Sequence, residues 1–150
     1  MSKAFPLQPL IDLAKNETDI AIRKLGELNR QNRSISGKLD LLLQYRQEYQ
    51  LRFEESVRCG MNQAEWRNYQ HFFYKLDEAI DQQRQLQLAF RQTVEASQIE
   101  YQEKQKKLKS FETLAQRHET FEYARGARLE QKEQDDLSNK AFMRKRNEEE

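Results

Sequence analysis

Apolar residues return every seven positions along most of this chain, and that repeat limits the folds open to it. Counting from Ile11, the a positions are Ile11, Thr18, Leu25, Asn32, Leu39, Arg46 and Phe53. The d positions are Leu7, Ala14, Ala21, Leu28, Ile35, Leu42 and Tyr49. Eleven of these fourteen are apolar, against 37% for the chain as a whole. A stripe this narrow and this long is the seam of a coiled coil. A second ladder begins at Trp66 and continues through Phe73, Ile80, Val94, Tyr101, Leu108 and Ala115 at a. Tyr69, Leu76, Phe90 and Phe111 are its apolar d positions, whereas Gln83, Gln87, Ser97 and Lys104 interrupt it.

Composition supports long helix over a compact globule. The chain of 150 residues is 34% charged and has four glycines and two prolines, too few turn formers for a many-element fold. Its Glu, Gln, Lys, Arg, Leu and Ala are good helix formers. Disorder is the competing reading, and fifteen aromatic side chains with a net charge of +1 argue against it. The balanced charge also argues against a dedicated nucleic-acid binder. The longest purely aliphatic run is Leu41-Leu42-Leu43, which spans no membrane, and MSKAFPLQPL is no secretory signal. A cytoplasmic protein is expected.

Between the ladders lies CGMNQAEWRNYQ, residues 59–70. Gly60 can end a helix by taking positive φ. Asn62, three residues before Glu65, is placed to cap the next helix, and Met61 with Trp66 can form a hydrophobic staple. A short turn makes its flanking helices antiparallel neighbours. Facing residue numbers should then add up to about 122, pairing Phe53 with Tyr69, Tyr49 with Phe73, Leu42 with Ile80 and Ala14 with Leu108. The expected fold is all-α, a long two-helix antiparallel coiled-coil hairpin with helix two overhanging. Helix one covers about 5–58, the turn about 59–63 and helix two about 64–142, with a frayed tail to 150. Pairing is expected to stop near Ala115, where helix one runs out. The remaining 20–25 residues would extend as a rod of roughly 35 Å, marginal alone and ordered against a partner.

Some side chains are not required by the seam. Tyr45 on helix one and Phe72, Ala79 and Leu86 on helix two occupy g positions, which share one edge of an antiparallel pair. With Leu42, Tyr49 and Leu76 beside them, they either widen the core or form an apolar edge for a partner helix or extended segment. Asn32, Gln83 and Gln87 read as register determinants within the seam. His71 and His118 lack companions at metal-ligand spacing, Cys59 lacks an activating base, and no Gly-rich phosphate loop is present. No catalytic residue, cofactor site or metal site is expected.

The pattern Leu42-x-x-Tyr45-x-x-x-Tyr49, followed by Trp66-x-Asn68-Tyr69-Gln70-x-Phe72-x-x-x-Leu76-x-x-Ala79-Ile80, resembles the flagellar FliJ family. LIDLAKNETDIAIRKLGEL near the start and KKLKSFETLAQR late in helix two extend the likeness over most of the chain. The resemblance implies a non-enzymatic cytoplasmic component of the flagellar type III protein export apparatus, peripheral at the inner membrane. It implies a stalk within the pore of the hexameric export ATPase, contact with the cytoplasmic linker of the export-gate membrane protein, and escort of export chaperones. It places the gate contact on Phe72, Leu76 and Ala79 with Leu42, Tyr45 and Tyr49. Lys38 and Gln83 depart from the family's stripe, which has glutamine and histidine there. A stalk of a related injectisome, or a purely structural coiled coil, is the alternative.

Overall fold

The computed structural model describes residues 5–150. They form two helices and no strand: α1, Gln8–Cys59, and α2, Gln63–Glu149. The chain is therefore all-α, and the two helices pack against each other as the antiparallel pair that the ladders predict.

The turn follows from three backbone and side-chain contacts. Gly60 takes φ 95°, the left-handed conformation that a residue without Cβ adopts at little cost, and its N–H reaches the Val57 carbonyl. Asn62 Oδ1 accepts the Glu65 N–H at 2.8 Å, and the Asn62 carbonyl accepts the Trp66 N–H at 3.1 Å. That is an N-cap: a side-chain oxygen satisfies one of the donors left without a partner at a helix start. Trp66 is 51% exposed, so burial along α2 begins about one turn later, at Tyr69.

The helices divide into two compact units. One comprises residues 19–102 and includes the turn. Its core is Leu39, Leu76 and Ile80, with Leu42 packed against them. Tyr49 lies 5.6 Å from Phe73 and Phe53 lies 5.3 Å from Tyr69, ring centre to ring centre, the pairs that the register requires. Both contacts are edge-on, the arrangement the ring quadrupoles favour.

The second unit joins the start of α1 to residues 103–150. Ile11, Ala14 and Thr18 are buried there. Thr18 Oγ1 donates to the Ala14 carbonyl at 2.7 Å, which lets a hydroxyl sit in the seam. Lys104 reaches out of the seam to Glu17 at 3.2 Å. Pairing runs past Ala115: His118 and Glu122 are half-buried at the next two seam positions, and Phe5 packs on His118 at 5.4 Å. The extra turn comes from Phe5, which lies before α1 and was not counted in the ladder. From Tyr123 onward every residue is exposed, yet α2 stays helical to Glu149, beyond the end expected at about 142.

Along both helices, burial follows the ladders with few exceptions. With Ser56 continuing the α1 ladder at d, the described residues outside the seam that are not exposed are Phe5, Glu17, Ser36, Gln50, Met61, Ala79 and Glu100. A two-helix pair has one contact face per helix, so nothing else has anywhere to go.

Candidate functional site

The candidate edge sits in the unit that holds the turn. Heptad spacing places Leu42, Tyr45 and Tyr49 on successive turns of α1, and Phe72, Leu76 and Ala79 on successive turns of α2. Their exposure separates them into two groups. Leu76 is buried, and Leu42 packs against the cluster Leu76 forms with Leu39 and Ile80. Tyr45 is 55% exposed and Phe72 38% exposed, while Tyr49 and Ala79 are half-buried. Tyr45 and Phe72 thus form the open rim, and Leu42, Tyr49, Leu76 and Ala79 its floor.

Tyr49 ties rim to floor. Its ring centre is 4.0 Å from that of Phe72, 5.0 Å from that of Tyr69 and 5.6 Å from that of Phe73. Phe72 therefore leans over Tyr49 with one face, leaving the other open. A ring fixed this way loses little further freedom on meeting a partner, which is what an interface anchor requires. Leu86, 48% exposed, continues the rim one heptad beyond Ala79.

The g edge changes character along its length. Beside the turn it is apolar; farther along, Lys24 and Glu100 face each other at 3.2 Å across the same edge. An exposed pair of that kind adds little stability but fixes partner choice between helices.

Arg46 is a contributor that the sequence did not single out. It stands at an a position, where its guanidinium donates to the Asp77 carboxylate and lies 5.3 Å from the centre of the Phe73 ring. The hydrogen bond to Asp77 raises the Arg46 pKa, and the same bond holds the Asp77 carboxyl below its ordinary range. A charged residue at a together with an opposite charge across the pair was the available signal. Ser56 and Tyr69 add a hydroxyl–hydroxyl hydrogen bond of 3.2 Å nearer the turn.

Chemistry has little to work with here. Cys59 is a free, exposed thiol. Among the described residues, no group of three or more His, Cys, Asp or Glu side chains could hold a metal ion. No helix among them is long and apolar enough to cross a membrane. What the edge offers is apolar contact with a polar surround.

Residues 2–147 match the family model described as flagellar FliJ protein. The flagellar FliJ protein of Escherichia coli (strain K12) is 33% identical over 145 residues, covering 97% of this chain and 99% of that protein. The flagellar FliJ protein of Salmonella typhi is 32% identical over the same length and shares. The flagellar FliJ protein of Bacillus subtilis (strain 168) is 27% identical over 143 residues, 95% of this chain and 97% of that one.

Proposed function

The chain belongs to the family of flagellar FliJ proteins, components of the flagellar protein export apparatus, and on that premise we propose that it is the apparatus's non-enzymatic stalk. In this reading the C-terminal part of α2 enters the ring of the hexameric export ATPase. The apolar edge near the turn meets the cytoplasmic linker of the export-gate protein and hands over emptied export chaperones. The protein works at the cytoplasmic face of the inner membrane and carries no catalytic group of its own.

The observation that carries the proposal is the continuation of α2 through residues 123–149 with every side chain exposed. A single helix of that length is marginal in water unless something packs on it. Tyr123, Leu129, Leu137, Phe142 and Met143 are each more than half exposed along it, so a surrounding pore has apolar side chains to engage on several faces. The edge supplies a second, separate contact. Tyr45 and Phe72 are open while the residues beneath them hold the pair together, so binding there costs no unfolding.

Co-precipitation with the export ATPase tests the first contact, comparing the full chain with a chain ending at Glu122. Loss of binding on truncation is the expected result; equal capture of both forms would remove α2's end from the mechanism. For the second contact, Tyr45→Ala with Phe72→Ala should weaken capture of the export-gate linker at least tenfold while the helical circular-dichroism signal is kept. A parallel loss of helicity would assign those side chains to the fold alone.

A further inference from the structure

Within the unit of residues 19–102, polar side chains gather in one stretch of the seam: Asn32 on α1 with Gln83, Gln87 and Ser97 on α2. Between Ala21 and Leu39, both buried, the α1 seam residues Leu25, Leu28, Asn32 and Ile35 are only half-buried. Near Asn32 and Ile35, three α2 positions, Phe90, Gln87 and Gln83, are also half-buried, whereas Val94 and Ser97, which face Leu28 and Leu25, are buried. Two of those three half-buried positions are glutamines, and their contacts are polar. Gln83 Nε2 donates to the Ile35 carbonyl at 3.0 Å, and Gln87 Nε2 donates to Ser36 Oγ at 3.0 Å. Asn32 Oδ1, in the centre of the stretch, and Ser97 Oγ, at its border, have no hydrogen-bond partner although both atoms are buried. Such atoms favour any fluctuation that lets water reach them.

The same stretch is bracketed by the two glycines of α1, Gly26 and Gly37. Neither is demanded by packing. A Cβ at either position would have nothing within 4 Å, and neither takes positive φ. Each weakens local helix by a factor of about five relative to alanine. The Gln83 contact adds a polar link across the pair to a carbonyl within the helix, where an apolar seam residue would otherwise pack. Two glycines, seam glutamines and two unpartnered buried atoms therefore run together against the apolar pairing of Leu28 with Val94, a local conflict of the kind expected at functional sites.

We propose that residues 26–37 of α1 with residues 83–96 of α2 form a compliant joint, which opens and bends before the segments on either side. The polar contacts of Gln83 and Gln87 specify the register, so the joint recloses without slipping. If the stalk reading above holds, this joint lets the apolar edge near the turn adjust its direction to a partner while the seam stays in register.

Amide hydrogen exchange on the full chain in solution tests the joint without any partner, so its failure and that of the stalk reading are separable. Amides of residues 29–36 and 84–90 are expected to exchange at least about tenfold faster than those of residues 39–49 and 73–80. Gly26→Ala with Gly37→Ala should slow exchange in the stretch by about 30-fold, leaving residues 73–80 within about threefold of wild type. Gly126→Ala, on the exposed part of α2, should leave the stretch unchanged. Protection equal to or greater than that of the flanks would overturn the proposal. So would a double-alanine variant that slows all of these segments alike, since that describes one cooperative opening instead of a joint.

Discussion

Near its start α2 places Tyr69, Phe73, Leu76 and Ile80 against α1, where they are buried or half-buried. Near its end the same helix carries Tyr123, Leu129, Leu137 and Phe142, and their exposures run from 54% to 81%. The side chains are of the same kinds and the backbone is the same helix. What differs is spacing and the presence of a facing helix. The first set steps by four, three and four residues and stays on one stripe; the second steps by six, eight and five and scatters around the axis. Periodicity, more than apolar content, decides which part of a helix can be paired within its own chain. A scattered set suits a partner that surrounds the helix better than one that lies alongside it.

The contrast is most open to attack at Phe73. Phe73→Ala removes a buried ring that meets both Tyr49 and Phe53, and should cost about 3 kcal/mol in a denaturant melt. A loss under about 1 kcal/mol would mean the aromatic cluster is ornament and that pairing rests on the aliphatic seam. Next in size is the cap. Asn62→Ala should cost about 1 kcal/mol, with Asn62→Asp close to neutral, because either oxygen can accept the Glu65 N–H.

Acid titration gives a smaller effect. Arg46 holds the Asp77 carboxyl below its ordinary value of 3.8, so the stability this pair contributes is complete above that value. It is lost as the pH falls through the lowered value. Both partners are well exposed to water, which reduces the contribution to a few tenths of a kcal/mol. Asp77→Asn should therefore flatten the acid limb of the stability curve slightly and leave the neutral region almost unchanged. The smallest expected effect is at the other end of α2. Phe142→Ala should alter stability by no more than about 0.5 kcal/mol, and a larger loss would show that residues 123–149 pack on something in the free chain.

Much of this molecule is legible before any coordinates. Two helices in register bury one stripe each, so a seven-residue count finds the seam, and a constant sum of facing numbers finds Tyr49 opposite Phe73. The cap at Asn62 is legible because a capping box is a local signal. What escapes is whatever lies off the count. Phe5 precedes the helix and still extends the pairing to His118. The helical state of residues 143–149 was not foreseen, because nothing in the sequence marks where a polar helix must stop. The candidate edge was legible as a set of six residues. Heptad position already separated most of its rim from its floor, with Tyr45 and Phe72 at g and Leu42, Tyr49 and Leu76 at d; the half-burial of Ala79, also at g, was not legible. Arg46 was hidden because a charge at a reads as a defect until its partner across the pair is located.

A pair that buries one stripe per helix is unusually intolerant of changes in chain length. One residue inserted into α1 rotates everything beyond it by about 100° and moves the following seam residues off the contact face. Even a whole heptad inserted there slides Tyr49 away from Phe73 unless α2 gains seven residues opposite. Substitutions off the seam are cheap, whereas insertions must arrive in matched pairs. Lineages of such a chain can diverge freely in letters while their helices remain nearly fixed in length.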